Sequence, residues 1–110
     1  MLASIIIRTY NEERYLKEML VAINQQNTEY VGFELILVDS GSTDRTLSIA
    51  KEFNCAIKHI KKEDFTFGYS LNIGCEAAKG DYLVFISGHC VPKDELWLTN
   101  LIKPMAENSI

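Results

Sequence analysis

The chain has 110 residues, room for one small domain around one core. Hydrophobic residues make up 47% and charged residues 24%, far from disordered composition; the formal net charge of -4, with no Lys/Arg run interleaved with aromatics, argues against nucleic acid as a partner. The three cysteines, Cys55, Cys75 and Cys90, are odd in number, fall within apolar patterns and form no CxxC, which predicts reduced thiols in a cytoplasmic protein and argues against a disulfide framework or structural zinc.

The chain opens with "MLASIIIRTYNEE", whose apolar core is too short for a signal peptide and is followed by acidic residues. It reads as a first strand, Ser4–Arg8. No apolar run approaches the ~20 residues that span a bilayer, so no transmembrane segment is expected. Leu16, Met19, Leu20 and Ile23 then fall at i, i+3, i+4, i+7, one face of a helix. A second strand, Glu34–Val38 ("ELILV"), leads to a helix with Leu47, Ala50 and Phe53 in line and Ile49 alongside. "AIKHI", Ala56–Ile60, alternates and is expected at an edge with one face wet; His59 within it is read as a surface residue. A third helix carries a stripe of small residues, Leu71, Gly74, Cys75 and Ala78, suited to close packing on a sheet. The fourth strand, Tyr82–Ile86 ("YLVFI"), is expected to be buried on both faces like the first two. Leu98, Leu101, Ile102 and Met105 predict a last helix. The order β-α-β-α-β-α-β-α implies an α/β fold, an open, mostly parallel sheet with helices on both faces and right-handed crossovers.

Such sheets bind ligands at the carboxyl ends of their strands, so the segments after each strand carry the functional reading. Asp39 directly follows "LILV". Its carboxylate can accept from a base edge such as uracil N3–H, or it can cap the next turn; the residue alone favours neither. In "SGSTD", Gly41 supplies backbone freedom, Ser42 or Thr43 is a candidate N-cap, and Asp44 suits a first turn. In "TYNEE", Asn11 is expected as an N-cap with Glu12 and Glu13 behind it. "DFTFG" is not the kinase Asp-Phe-Gly, since no other kinase signature is present; Gly68 is expected to permit a tight entry into the third helix, one turn before Asn72. No GxGxxG or GxxxxGK[ST] is present, which removes dinucleotide and P-loop readings. At the fourth tip stands "SGHC". Ser87 and His89 are spaced to point the same way from an extended tip, where His89 could ligate Mn²⁺ or Zn²⁺ or donate to a phosphate.

Taken together, "SIIIRTYNEERYLKEML", "ELILVDSGSTDRTLSIAKEF", "GYSLNIGCEAAKGDYLVFIS" and "VPKDELWL" resemble the family 2 glycosyltransferases of the GT-A fold, in order and spacing over nearly the whole chain. The resemblance implies a Rossmann-like nucleotide-sugar-binding half with strand order 3-2-1-4. Thr9, Tyr10, Asn11 and Glu12 would wrap the base and ribose. Asp39, with Gly41 and Ser42 beside it, would meet the base, usually uracil, and Gly68 and Asn72 would lie near the nucleotide-sugar. The fourth tip of the family normally carries Asp-x-Asp, which holds Mg²⁺ or Mn²⁺ on the diphosphate. Here Ser87, Gly88 and His89 stand in its place, which leaves open a metal held by His89 and Ser87, direct binding of phosphate by His89, or loss of transfer. The implied reaction moves a sugar from a nucleoside diphosphate sugar, UDP-linked in the usual case, to an acceptor hydroxyl with inversion, as in polysaccharide biosynthesis. The acceptor would be a glycan or a lipid-linked glycan, which would hold the protein at the inner face of the membrane. The family's domains are about twice as long, so residues 1–110 are expected to be the donor-binding part of a truncated domain, inactive alone, with the general base beyond Ile110 and an exposed face open to self-association. The alternative of another class is a non-catalytic nucleotide-binding or regulatory module.

Overall fold

The computed structural model describes residues 1–107. Four strands, β1 (Leu2–Thr9), β2 (Gly32–Asp39), β3 (Ala56–His59) and β4 (Tyr82–Ser87), form one sheet in the order β3-β2-β1-β4. Every neighbouring pair is parallel, with Thr9 opposite Asp39 and Arg8 opposite Ser87 at the carboxyl end. Four helices, α1 (Leu16–Asn24), α2 (Thr46–Glu52), α3 (Phe67–Ala77) and α4 (Trp97–Glu107), connect and flank the strands, with one 3-10 turn at Lys62–Asp64.

The apolar runs of β1 and β2 bury on both faces, as parallel central strands do. Ile5, Ile7, Leu35 and Leu37 pack with Leu16, Met19, Leu20, Ile23, Ile49, Leu98 and Ile102 of α1, α2 and α4. Ile6, Ile36 and Val38 face the other way, toward Ile73 and Ala77 of α3. The chain therefore winds outward from β1 to β3 over one face and returns to β4 over the other. That reversal makes the tips of β1 and β4 the topological switch point, the crevice where such sheets hold ligands.

Three expectations need correction. β4 is an edge rather than a doubly buried strand: Leu83 and Phe85 are each 42% exposed, because α3 lies over β1 and β2 and leaves that side of β4 open. The α3 stripe is rotated. Ser70 and Gly74 are buried and Leu71 and Cys75 exposed, since Gly74 is the point of closest approach to the sheet: a Cβ there would lie 2.5 Å from Cγ2 of Ile6. In α4, Leu98 and Ile102 are buried while Leu101 and Met105 face out. β3 is the expected wet edge, with Lys58 and His59 exposed. The three cysteines are free thiols, Cys55 half-buried and Cys75 and Cys90 exposed.

Candidate functional site

Two loops after β1 and β2 lace together. Asn11 takes a left-handed backbone (φ 51°), which turns the chain and aims its side-chain oxygen at the Thr43 N–H, 2.8 Å away. The Asn11 N–H in turn donates to Ser42 Oγ (2.9 Å), and the Glu12 N–H to Thr46 Oγ1 (2.8 Å). Asn11 thus braces the neighbouring loop instead of capping α1, which begins only at Leu16. Asp44 accepts from the N–H of Thr46, its hydroxyl and the N–H of Glu13. It is the acceptor at the start of α2, where neither Ser42 nor Thr43 serves as cap. Burial pushes the Asp44 carboxyl up, but these hydrogen bonds outweigh it and hold the group below its ordinary value.

Asp39 is the centre of this lacing and is 1% exposed. Its Oδ2 accepts from the backbone N–H groups of Gly41 (3.1 Å) and Ser42 (2.8 Å), and its Oδ1 from the hydroxyls of Thr9 (2.7 Å) and Ser42. Gly41, with φ 98°, permits the loop to fold back onto the carboxylate. Of the two roles open to Asp39, the structure realises the capping one. A base imide would reach this carboxylate only by displacing the Ser42 hydroxyl.

At the β4 tip the chain turns sharply instead of extending: the Cys90 N–H donates to the Ser87 carbonyl (3.1 Å) and the Gly88 N–H to the Arg8 carbonyl (2.9 Å). Gly88 is buried, and a Cβ there would fall 2.8 Å from Cγ of Glu12 and 3.0 Å from Cγ2 of Thr9. The glycine between Ser87 and His89 therefore answers a close approach to the β1 tip. Ser87 Oγ and His89 Nε2 lie 3.3 Å apart, and His89 Nδ1 is 3.3 Å from the Glu12 carboxylate.

These tips enclose a cavity of about 360 Å³ lined by Arg8, Thr9, Tyr10, Glu12, Ser40, Lys62, Phe65, Phe67, Ser87 and His89. The Arg8 guanidinium stacks 4.4 Å from the Phe67 ring centroid, and Phe65 meets Phe67 edge-on. The Lys62 ammonium lies 4.7 Å from the Tyr10 ring centroid; the Tyr10 hydroxyl raises its pKa above the ordinary lysine value. The cavity brings together Thr9, Tyr10, Glu12, Ser87 and His89 of the expected site. Asn11, Asp39, Gly41 and Ser42 do not line it; they lie in the two loops that carry Thr9, Tyr10, Glu12 and Ser40 into the wall. Gly68 and Asn72 are exposed on α3 and do not line it. Gly68 has open space around it, and Thr66 caps the helix instead, its hydroxyl accepting from the Tyr69 N–H at 3.0 Å. Sequence reasoning missed Arg8, Lys62, Phe65 and Phe67. The signal for Arg8 was a charge ending an otherwise apolar run immediately before a strand tip.

A hard divalent cation fits this tip poorly. Carboxylates suit it best, and here the carboxylate pair is absent: the wall offers the Ser87 hydroxyl, the His89 imidazole and the single carboxylate of Glu12, which is engaged with His89 Nδ1, with the Arg8 cation opposite Ser87. Among the described residues no group of three or more His, Cys, Asp or Glu side chains gathers as a metal site.

An open parallel sheet with a polar and aromatic cleft at its switch point is an α/β architecture of the kind that holds ligands at its strand tips. The family model for glycosyl transferase family 2 matches residues 4–110, and the chain belongs to that family of enzymes. It is 31% identical over 103 residues to a dolichyl N-acetyl-alpha-D-glucosaminyl phosphate 3-beta-D-2,3-diacetamido-2,3-dideoxy-beta-D-glucuronosyltransferase of Methanococcus voltae, covering 89% of this chain and 32% of that protein. It also resembles the solved structure of Staphylococcus aureus TarS 1-349 in complex with UDP-GlcNAc (TM-score 0.76, 28% identity, 97% of this chain and 32% of that one). A further likeness is to glucosyl-3-phosphoglycerate synthase from Mycobacterium tuberculosis in complex with Mn²⁺, UDP and glucosyl-3-phosphoglycerate (TM-score 0.76, 26% identity, 94% of this chain and 39% of that one). These place the sheet in the GT-A fold. The chain spans about a third of the length of these relatives. Among the described residues, no helix is long and apolar enough to cross a membrane.

Proposed function

We propose that this chain is the donor-binding part of a glycosyltransferase, taking a nucleoside diphosphate sugar, UDP-linked, whose sugar passes to an acceptor hydroxyl with inversion. The observation that carries this reading is the cleft at the switch point of β1 and β4, walled by the β1 tip on one side and the β4 tip on the other. Its aromatic rings suit a base and ribose, and its cations suit a diphosphate. Thr9, Tyr10 and the loop from Ser40 to Ser42 would form the base end, and Ser87 and His89 the phosphate end. Glu12 is the carboxylate in the cavity wall and is engaged with His89, so the general base of an inverting displacement would come from elsewhere in the catalytic domain. The acceptor would be a glycan or lipid-linked glycan, as in polysaccharide assembly.

Calorimetric titration with UDP, GDP and ADP tests the reading. UDP should bind most tightly. If Asp39 also contacts uracil after the Ser42 hydroxyl moves, Asp39→Asn should weaken UDP by roughly 1–3 kcal/mol through mismatched partners. Equal binding of all nucleotides would remove the base preference. Binding of none would overturn the proposal.

A further inference from the structure

We infer that the diphosphate is held in this cleft directly by the chain's own cations, Arg8 foremost, without a bridging divalent metal. The inference rests on the nucleotide-sugar reading above and deepens it. Arg8 lies opposite Ser87 in the β1–β4 register, so its guanidinium stands on the strand beside the tip where the family's carboxylate pair would grip a cation. The Arg8 Cζ lies over the Phe67 ring, 4.4 Å from its centroid. A cation–π contact of this kind draws on the guanidinium's charge and does not use up all five of its N–H donors. Among the described residues no carboxylate pairs with Arg8 and no acceptor is hydrogen-bonded to its side chain. A half-buried arginine, ring-supported and unspent, at a strand tip is equipped to take two phosphate oxygens at once.

The charge around it has the same sense. The cavity wall carries the permanent cations Arg8 and Lys62 against the one carboxylate of Glu12. Glu12 faces His89 Nδ1, fixing the ring with its Nε2 beside Ser87 Oγ. Asp39, the carboxylate that ends β2, is committed to Thr9, Gly41 and Ser42. A divalent cation here would meet Arg8 across the sheet register and find no carboxylate pair; a diphosphate would meet donors on the β1 and β4 tips. The Ser-Gly-His tip and the arginine next to the end of β1 are then two halves of one substitution, a fixed guanidinium in place of a bound ion.

The test is calorimetric titration of the chain with UDP and with uridine, each in EDTA and in Mn²⁺, for wild type, Arg8→Gln and Arg8→Lys. Far-UV circular dichroism checks that each variant is folded. UDP should bind wild type in EDTA, with little change when Mn²⁺ is added. Arg8→Gln should weaken UDP about 10- to 100-fold and leave uridine binding unchanged, while Arg8→Lys, which keeps charge but loses the fork, should fall between. UDP binding that appears only with Mn²⁺ and is indifferent to Arg8→Gln would overturn the inference while leaving the nucleotide reading intact. Binding of neither UDP nor uridine under any condition would overturn both.

Discussion

Replacing Asp39 by alanine and by asparagine separates what its charge does from what its shape does. The carboxylate accepts from the N–H groups of Gly41 and Ser42 and from the hydroxyls of Thr9 and Ser42, at 1% exposure. Alanine orphans all of these. The hydroxyls can rotate to other acceptors, but the backbone N–H groups cannot, and in this part-buried loop each stranded donor costs up to roughly 1–3 kcal/mol. With partial hydration of the loop, Asp39→Ala should lose about 2–4 kcal/mol, a large share of the 5–15 kcal/mol typical of a whole domain. In thermal terms that is about 10–20 °C of Tm for a chain of this size. Asparagine can keep its oxygen toward the two N–H groups and turn its amide toward Thr9 and Ser42, whose hydroxyls can accept. Asp39→Asn should therefore cost only about 1 kcal/mol. Urea unfolding followed by the fluorescence of Trp97, the sole tryptophan, measures both. An alanine variant as stable as wild type, or an asparagine variant as damaged as alanine, would refute the account of Asp39 as the acceptor that holds the two loops together.

Gly74→Ala places a Cβ 2.5 Å from Ile6 Cγ2; overpacking of about 1–3 kcal/mol should exceed the gain in helix propensity of at most about 1 kcal/mol, and thermal melting should fall. Burial pushes the Cys55 thiol up to about 11, so at pH 8 a disulfide-exchange reagent should modify the exposed Cys75 and Cys90 quickly and Cys55 only on unfolding. The Ser4 hydroxyl foremost, with the Lys79 N–H, holds Glu34 below its ordinary 4.5 against a smaller effect of burial, and Asp44 is likewise held below 3.8. Because these folded values are depressed, their stabilisation is fully present above the ordinary values and is lost as pH falls through the lower folded ones. The urea midpoint should drop between pH 5 and pH 2, less so in Ser4→Ala. The open side of β4, with Leu71, Leu83 and Phe85 exposed, should associate with a second copy. Sedimentation velocity should give a concentration-dependent dimer that Phe85→Ser weakens; a monomer at all concentrations would contradict this.

The central sheet was legible because β1 and β2 are continuous apolar runs, the pattern of doubly buried strands, and β3 alternates as a wet edge does. β4 has the same apolar pattern as the central strands, yet half of it is open, because how far α3 reaches across the sheet is decided by packing at Gly74 and not by the strand's own composition. The α3 stripe failed for a similar reason: small residues at helical spacing do not say which of two adjacent stripes touches the sheet. At the site, the strand-tip motifs located the cleft, since turn residues directly after buried strands have few other positions available. Its cationic and aromatic lining was less legible. Lys62, Phe65 and Phe67 are brought in by a short 3-10 turn and a Thr66 cap, long-range placements that local spacing does not encode. Asp39 was ambiguous in sequence because the same carboxylate geometry serves a base edge and a backbone turn; in the structure its oxygens accept from Thr9, Gly41 and Ser42.

The measurement that tests the nucleotide-cleft account most directly is a titration of isotopically labelled protein with UDP, followed by amide chemical shifts. The account predicts saturable shifts clustered at Thr9–Glu12, Ser40–Ser42 and Ser87–His89, with β3 and the exposed side of β4 unmoved. Shifts confined to other surfaces, or none up to millimolar UDP, would contradict it.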